Sequence, residues 1–233
     1  MDTISDAGSL QDVDNRPQAA APANLLLNFE SLGNNCEFGI VQRHYGLDPP
    51  GLFRNVGFLS ADQMINTIEG GLDGMFDDGR FAFTLPPDWP DWRLECGVYG
   101  FAFHTSVPAS IERGSAEWID RERKTVAAFR LMKRKFIEDL FGGEKIFVFR
   151  FIEDVPLESI VRMQHAIRKY GSGWLLYVKP NPAESLGWVE RVDDGLIIGS
   201  LPRLSNEDPP QIDFANWEVI AQASLAIVEA ARR

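Results

Sequence analysis

The chain has 233 residues, 45% of them hydrophobic, and its formal net charge is −11 at pH 7. This length and apolar content suffice for one sizeable core. The excess of acidic groups argues against nucleic acid and anionic membranes as partners, since both attract clustered positive charge.

The N-terminal region differs in composition from the rest of the chain. Residues 1–23 are rich in Asp, Ala, Pro and Gln, and such a sequence buries too little apolar surface to offset the entropy of ordering. We therefore predict a disordered leader over 1–23 and a single domain over 24–233. Two cysteines are too few for a disulfide framework, and neither a secretory signal nor an apolar run of about 20 residues is visible. A cytoplasmic protein without a membrane span is expected.

Hydrophobic periodicity and turn residues predict the elements in chain order. In the first half these are a buried strand over 25–32, a helix over 35–45, a capped helix from Ser60 to Gly70, a strand over 80–84, and a strand pair or one bent strand over 96–104. In the second half they are a helix over 117–141, a strand over 145–151, a helix over 156–170, strands over 174–178 and 195–199, and a helix over 214–231. This order is typical of an α/β (or α+β) layered domain, in which a central mixed, partly parallel sheet is flanked by helices.

Several common enzyme motifs are missing. The glycine pairs lack the lysine and hydroxyl residues of a phosphate-binding loop, and no Gly-x-Ser-x-Gly elbow occurs. The two cysteines and three histidines have no zinc-binding spacing. No metal site and no cofactor are expected.

Cys36 is the first candidate for chemistry. It follows the turn Ser31-Leu32-Gly33 and precedes the predicted helix over 35–45. The free N–H groups and dipole of a helix N-terminus favour a thiolate, so Cys36 is a candidate nucleophile. Asn34 and Asn35 beside it are candidate donors to an oxyanion. Free cysteines are also often buried and inert, which is the structural alternative.

A catalytic cysteine needs a base. His44 lies on the same predicted helix as Cys36 and His165 lies within another helix, whereas His104 ends a strand. His104 is therefore the candidate base, and Glu153 or Asp154, at the end of the strand over 145–151, is the candidate that orients it.

Arginines and aromatic residues indicate a different kind of site. Arg54 and Asn55 interrupt an apolar segment, and Arg150 lies in the strand over 145–151, so either arginine is a candidate to bind an anion. The loop with Trp89 and Trp92 is a candidate ligand-pocket wall or a cover over the core. Basic residues over 121–135 form a stripe that either binds phosphate or carboxylate or is paired along its own helix.

The segment Ser31-Leu32-Gly33-Asn34-Asn35-Cys36, followed by Gly51-Leu52-Phe53-Arg54 and Phe101-Ala102-Phe103-His104, resembles a bacterial family of unknown function described as putative papain-like cysteine peptidases. The resemblance implies that Cys36 is the nucleophile and His104 the base. It also implies a link to cell-surface polysaccharides, since such proteins are often encoded among genes for them. The chain departs from the family at Leu52–Asn55, and Glu30 occupies the position of the papain glutamine.

Three hypotheses follow. The first is a cysteine-dependent hydrolase or acyl transferase that acts on a peptide, glycan or small molecule. The second is an α/β domain that binds or transfers sugars or nucleotide sugars, in which Cys36 is only structural. The third is an interaction domain without catalytic activity.

Overall fold

The structure, a computed structural model, describes residues 23–33, 36–54, 56–57, 60–151, 155–183, 186–205 and 211–233. The helices in these ranges are α1 (Ala23–Leu26), α2 (Glu37–His44), α3 (Ala61–Glu69), α4 (Ala116–Gly142), α5 (Leu157–Arg168) and α6 (Phe214–Ala231). The strands are β1 (Phe29–Ser31), β2 (Val56–Gly57), β3 (Phe81–Thr84), β4 (Asp91–Cys96), β5 (Phe101–Pro108), β6 (Ile146–Arg150), β7 (Trp174–Pro180), β8 (Trp188–Asp193) and β9 (Leu196–Leu201).

A five-stranded mixed sheet forms the centre of the fold, with strand order β1-β6-β7-β9-β8. The first four strands are parallel and β8 is antiparallel. Side chains of β6 alternate between two cores: Ile146 and Val148 pack with α2 and α6, whereas Phe147 and Phe149 pack with α4 and α5. Helices therefore cover both faces, which confirms the predicted α/β class with a central mixed sheet.

A second, four-stranded antiparallel sheet has the strand order β2-β5-β4-β3 and was not predicted from the sequence. The buried side chains of this sheet pack against α4 and belong to the same hydrophobic core as the residues of that helix. Phe103 of β5 packs on Phe129, with ring centroids 4.9 Å apart, and Phe136 of α4 contacts Phe147 of the central sheet at 5.6 Å. Helix α4 thus contacts both sheets through one continuous hydrophobic core.

Most predicted elements are confirmed, including the capping box, in which Ser60 Oγ accepts from the Gln63 backbone and the Gln63 side chain accepts from the Ser60 N–H. The strand predicted over 25–32 is wrong in its first half, where α1 precedes the short β1. The sequence signal misleads because a run of leucines suits a buried helical turn as well as a buried strand.

β8 was missed because its side chains are largely exposed and give no apolar run. No helix in the described part of the chain is long and apolar enough to cross a membrane. The predicted leader lies almost entirely outside the described residues.

Candidate functional site

Cys36 is the N-cap residue of α2, immediately before Glu37, as the sequence predicts. Its side chain is partly buried and makes no capping hydrogen bond. Burial raises the pKa of the Cys36 thiol, and the guanidinium groups of Arg43 and Arg54 oppose this rise only in part. The local environment therefore favours the neutral thiol, which is opposite to the effect expected from the helix N-terminus.

Glu37, the first residue of α2, forms a buried ion pair with Arg150 at the end of β6. Glu37 Oε2 lies 2.9 Å from Arg150 Nη2, and the two side chains are 1% and 3% exposed. The carboxylate also accepts from Trp217 Nε1 at 2.9 Å and from the backbone N–H of Ser205 at 3.2 Å. Burial raises the pKa of Glu37, and Arg150, Trp217 and Ser205 oppose that rise. These contacts join α2, β6 and α6 beside Cys36.

Arg54 packs against the other side of α2. Its Nη2 donates to the Gly39 carbonyl at 2.7 Å, and its Nη1 donates to Asp48 Oδ1 at 2.6 Å and to the Pro49 carbonyl at 3.0 Å. Arg54 thus holds the loop after α2 onto the helix. The contacts observed for Arg54 and Arg150 are with other groups of the protein. The roles predicted for the two arginines in binding a substrate therefore stay predictions.

His104 lies on β5 in the second sheet, and its hydrogen-bond partner is Asp91. Asp91 Oδ1 lies 3.4 Å from His104 Nδ1, and the side chains are 14% and 37% exposed respectively. The other carboxylate oxygen, Asp91 Oδ2, accepts from the backbone N–H of Ser106 at 3.0 Å. Trp89 stacks on the imidazole with ring centroids 4.9 Å apart. A carboxylate and an indole therefore fix the orientation of this imidazole.

A β-bulge brings Asp91 and His104 together. Trp92 pairs with Val107 but the next residue, Arg93, pairs with His104, so Thr105 and Ser106 have no opposite partners on β4. Ser106 has a positive φ of 58°, and Thr105 Oγ1 donates to the carbonyl of Trp92. His104 thus lies inside β5 and not at the end of a strand as the sequence predicts. Bulges re-aim side chains and are common beside active sites.

His104 lines a cleft of about 390 Å³ between the bulge and the first half of α4. The β5 wall provides Thr105, Ser106 and Val107, and the α4 wall provides Arg121, Lys124, Thr125, Ala128, Phe129 and Met132. The cleft thus combines an oriented imidazole, two cations, hydroxyl groups and an apolar floor. No residue pattern predicts this cleft, because the register that joins β5 to β4 depends on pairing between distant parts of the chain.

Most basic side chains of the stripe on α4 form ion pairs with carboxylates of the protein. This agrees with the second interpretation of the stripe, in which the charges are paired rather than free to bind an anion. The pairs are Arg121 with Glu117, Arg123 and Lys124 with Asp120, Arg130 with Asp78, Arg134 with Glu138, and Lys135 with Glu30 and Asp139. Most of these groups are exposed, so each pair contributes little to stability and is readily exchanged for another partner.

The structure does not join the predicted Cys36–His104 pair by a hydrogen bond. The thiol is influenced by Arg43 and Arg54, and the imidazole is bound by Asp91. Five further candidates lie outside the described residues: Asn34, Asn35, Asn55, Glu153 and Asp154. The described strands β1 and β6, which precede Asn34 and Glu153, are neighbours and parallel, so the chain leaves both at the same edge of the sheet.

Among the described residues, no group of three or more His, Cys, Asp and Glu side chains is placed to hold a metal ion. A scan against models of protein families and searches of curated proteins and of solved structures found no match. The resemblance carried by residues 31–36 therefore stays a prediction.

Proposed function

We propose that the chain is a hydrolase or group transferase in which His104 is the general acid–base group and Asp91 orients its imidazole. The single observation that carries this proposal is the Asp91–His104 contact, with His104 lining a cleft. A histidine held by a carboxylate at one ring nitrogen is the arrangement that acid–base enzymes use to present the other nitrogen to a substrate.

The chemistry follows from the two ring nitrogens. In the tautomer that carries hydrogen on Nδ1, His104 donates to Asp91 Oδ1, and Nε2 has no protein partner in the described part of the chain. The Nε2 lone pair can then accept a proton from water or from a substrate hydroxyl as it attacks. The resulting imidazolium lies beside the Asp91 carboxylate, which stabilises its charge, and it returns the proton to the leaving group.

The test is a panel of activated acyl, glycosyl and phosphoryl esters, assayed with the wild type, His104→Gln and His165→Gln. His165 lies on the exposed face of α5 and serves as the matched control. We expect His104→Gln to lower the rate on the accepted substrate by about 10²-fold or more, the usual contribution of general acid–base catalysis, with His165→Gln unchanged. Equal rates for all three proteins would overturn the proposal.

A cysteine-dependent hydrolase or acyl transferase is the second candidate. It is favoured by the position of Cys36 at the first turn of α2, just after the carboxyl end of β1. The two candidates differ in one experiment: Cys36→Ala abolishes turnover if the thiol is the nucleophile, and leaves it intact if the attacking group is water or a substrate hydroxyl activated by His104.

A further inference from the structure

We propose that the cleft beside His104 binds the phosphate group of a small phosphate monoester, such as a sugar phosphate, between Arg121 and Lys124. This assignment names the substrate class of the proposed active site and rests on that proposed function for its catalytic meaning. The binding itself depends only on the cleft, so the two claims can be tested apart.

The positive charge of the cleft comes from one face of α4. Arg121 and Lys124 are three residues apart on the helix, which places their Cβ atoms about 5–6 Å from each other. Two cations at this separation can flank a single anion. In a chain with a net charge of −11, their presence on a concave surface marks a place suited to a negatively charged ligand.

Arg121 and Lys124 each form an ion pair with a carboxylate of α4, and both pairs are exposed to solvent. Arg121 Nη2 lies 3.6 Å from Glu117 Oε1, and Lys124 Nζ lies 2.6 Å from Asp120 Oδ2, with all four side chains at least 42% exposed. Exposed pairs of this kind contribute little to stability. A phosphate with a charge near −2 gains more from the two cations than a monovalent carboxylate does.

The remaining lining residues fit a small polar ligand. Ser106 and Thr125 add hydroxyl groups on opposite walls, while Phe129 and Met132 provide apolar surface below them. The volume of about 390 Å³ is near the lower end of the range for small-molecule sites, which suits a monosaccharide phosphate.

The experiment measures binding of glucose 1-phosphate, inorganic phosphate and glucose by isothermal titration calorimetry at low and moderate salt. We expect glucose 1-phosphate to bind saturably and more weakly at higher salt, and glucose not to bind. The double variant Arg121→Ala/Lys124→Ala should weaken binding at least tenfold. The control Arg123→Ala/Arg134→Ala removes the same charge from exposed positions elsewhere on α4 and should change the affinity less than twofold.

Absence of saturable binding at millimolar concentration, or an equal loss in both double variants, would overturn the assignment. His104→Gln separates the two claims. If glucose 1-phosphate binds this variant and the wild type alike but turnover never depends on His104, the binding site stands and the proposed function fails. If turnover depends on His104 and no phosphate ester binds, the proposed function stands and the ligand class is wrong.

Discussion

Asp91 lies 13 residues before His104 in the chain, yet its Oδ1 is 3.4 Å from the imidazole Nδ1 across the β4–β5 pair. Its Oδ2 accepts from Ser106 in the bulge of β5, so one carboxylate fixes both the histidine and the strand irregularity beside it. This double contact makes Asp91 a positioning residue, because it acts on a substrate only through His104.

Asp91→Asn is therefore expected to lower turnover on the accepted substrate about 10²-fold or more, while the fold is retained. The amide can still accept one hydrogen bond but can also donate to Nδ1, which selects the wrong imidazole tautomer. Steady-state kinetics and circular dichroism check both parts. Asp88→Asn, an exposed change in the preceding loop, is the control and should leave the rate unchanged. A full rate for Asp91→Asn would remove Asp91 from the mechanism.

The sequence predicts α2, α3, α4 and the three inner strands of the central sheet well, because their apolar patterns are strong and α3 also has an explicit capping box. Cys36 is likewise found at the start of α2, as expected. The pKa of its thiol could not be predicted in this way, since burial depends on what packs around the turn and outweighs the two arginines nearby.

The sequence predicts Glu153 or Asp154 as the residue that orients His104, because both lie at the end of a strongly apolar strand. Glu153 and Asp154 follow a strong strand, whereas Asp91 lies in an aromatic loop-like segment that the structure shows to be the start of β4. Register and bulges depend on long-range pairing, and no local pattern reveals that two extra residues on β5 bring Asp91 to His104.

Alkylation of Cys36 distinguishes the two candidate functions. Because burial raises the pKa of this thiol above its ordinary value, we expect slower reaction with iodoacetamide at pH 7 than for an exposed cysteine, and a rate that keeps increasing as the pH is raised. The measurement uses Cys96→Ala protein, so that mass spectrometry follows a single thiol. Fast reaction at pH 6–7 would indicate an activated thiolate and favour the cysteine nucleophile.

Glu30 is expected to make stability depend on pH. Burial raises the pKa of this carboxyl to about 7, against the effect of Lys135, 3.7 Å away. Because the folded state binds this proton more tightly than the unfolded chain, the contribution of Glu30 to stability is fully present below the ordinary pKa of 4.5 and is lost as pH rises through 7.

Glu30→Gln keeps the shape of the neutral carboxyl and should remove this loss. We expect the variant to exceed the wild type by about 1–3 kcal/mol in free energy of unfolding at pH 8, and by less than about 1 kcal/mol at pH 5. Urea denaturation at both pH values measures the difference. The control, Glu138→Gln, changes an exposed carboxylate on α4 and should keep the wild-type pH dependence. The expectation is contradicted if the free energy of unfolding changes by the same amount between the two pH values in Glu30→Gln and in wild type.

The buried Glu37–Arg150 pair should be sensitive to loss of its carboxylate. Glu37→Gln keeps one acceptor oxygen and replaces the other with NH₂. That NH₂ must face either Trp217 Nε1 or the donors of Arg150 and Ser205, so at least one buried donor faces another donor. We expect a loss of about 3 kcal/mol in free energy of unfolding. Asp78→Asn, which breaks the exposed pair with Arg130, is the comparison and should cost less than about 1 kcal/mol. Similar losses for the two variants would show that burial of the pair is unimportant.

Two glycine-to-alanine substitutions should have opposite effects. A Cβ at Gly39 in α2 would lie 2.6 Å from Nε and 2.8 Å from Cγ of Arg54, a side chain whose Nη groups are held by Gly39, Asp48 and Pro49. Gly39→Ala must therefore push Arg54 out of place, and we expect a loss of about 1–3 kcal/mol. At Gly142, the last residue of α4, a Cβ would meet nothing within 4 Å.

Gly142→Ala is thus expected to stabilise the protein by about 0.4–1 kcal/mol, because alanine restricts the unfolded chain and suits a helix. Thermal and urea denaturation of both variants give the comparison directly. If Gly39→Ala is as stable as Gly142→Ala, the contacts of Arg54 with α2 contribute little to stability. Arg54 would then not hold in place the helix whose N-cap is Cys36.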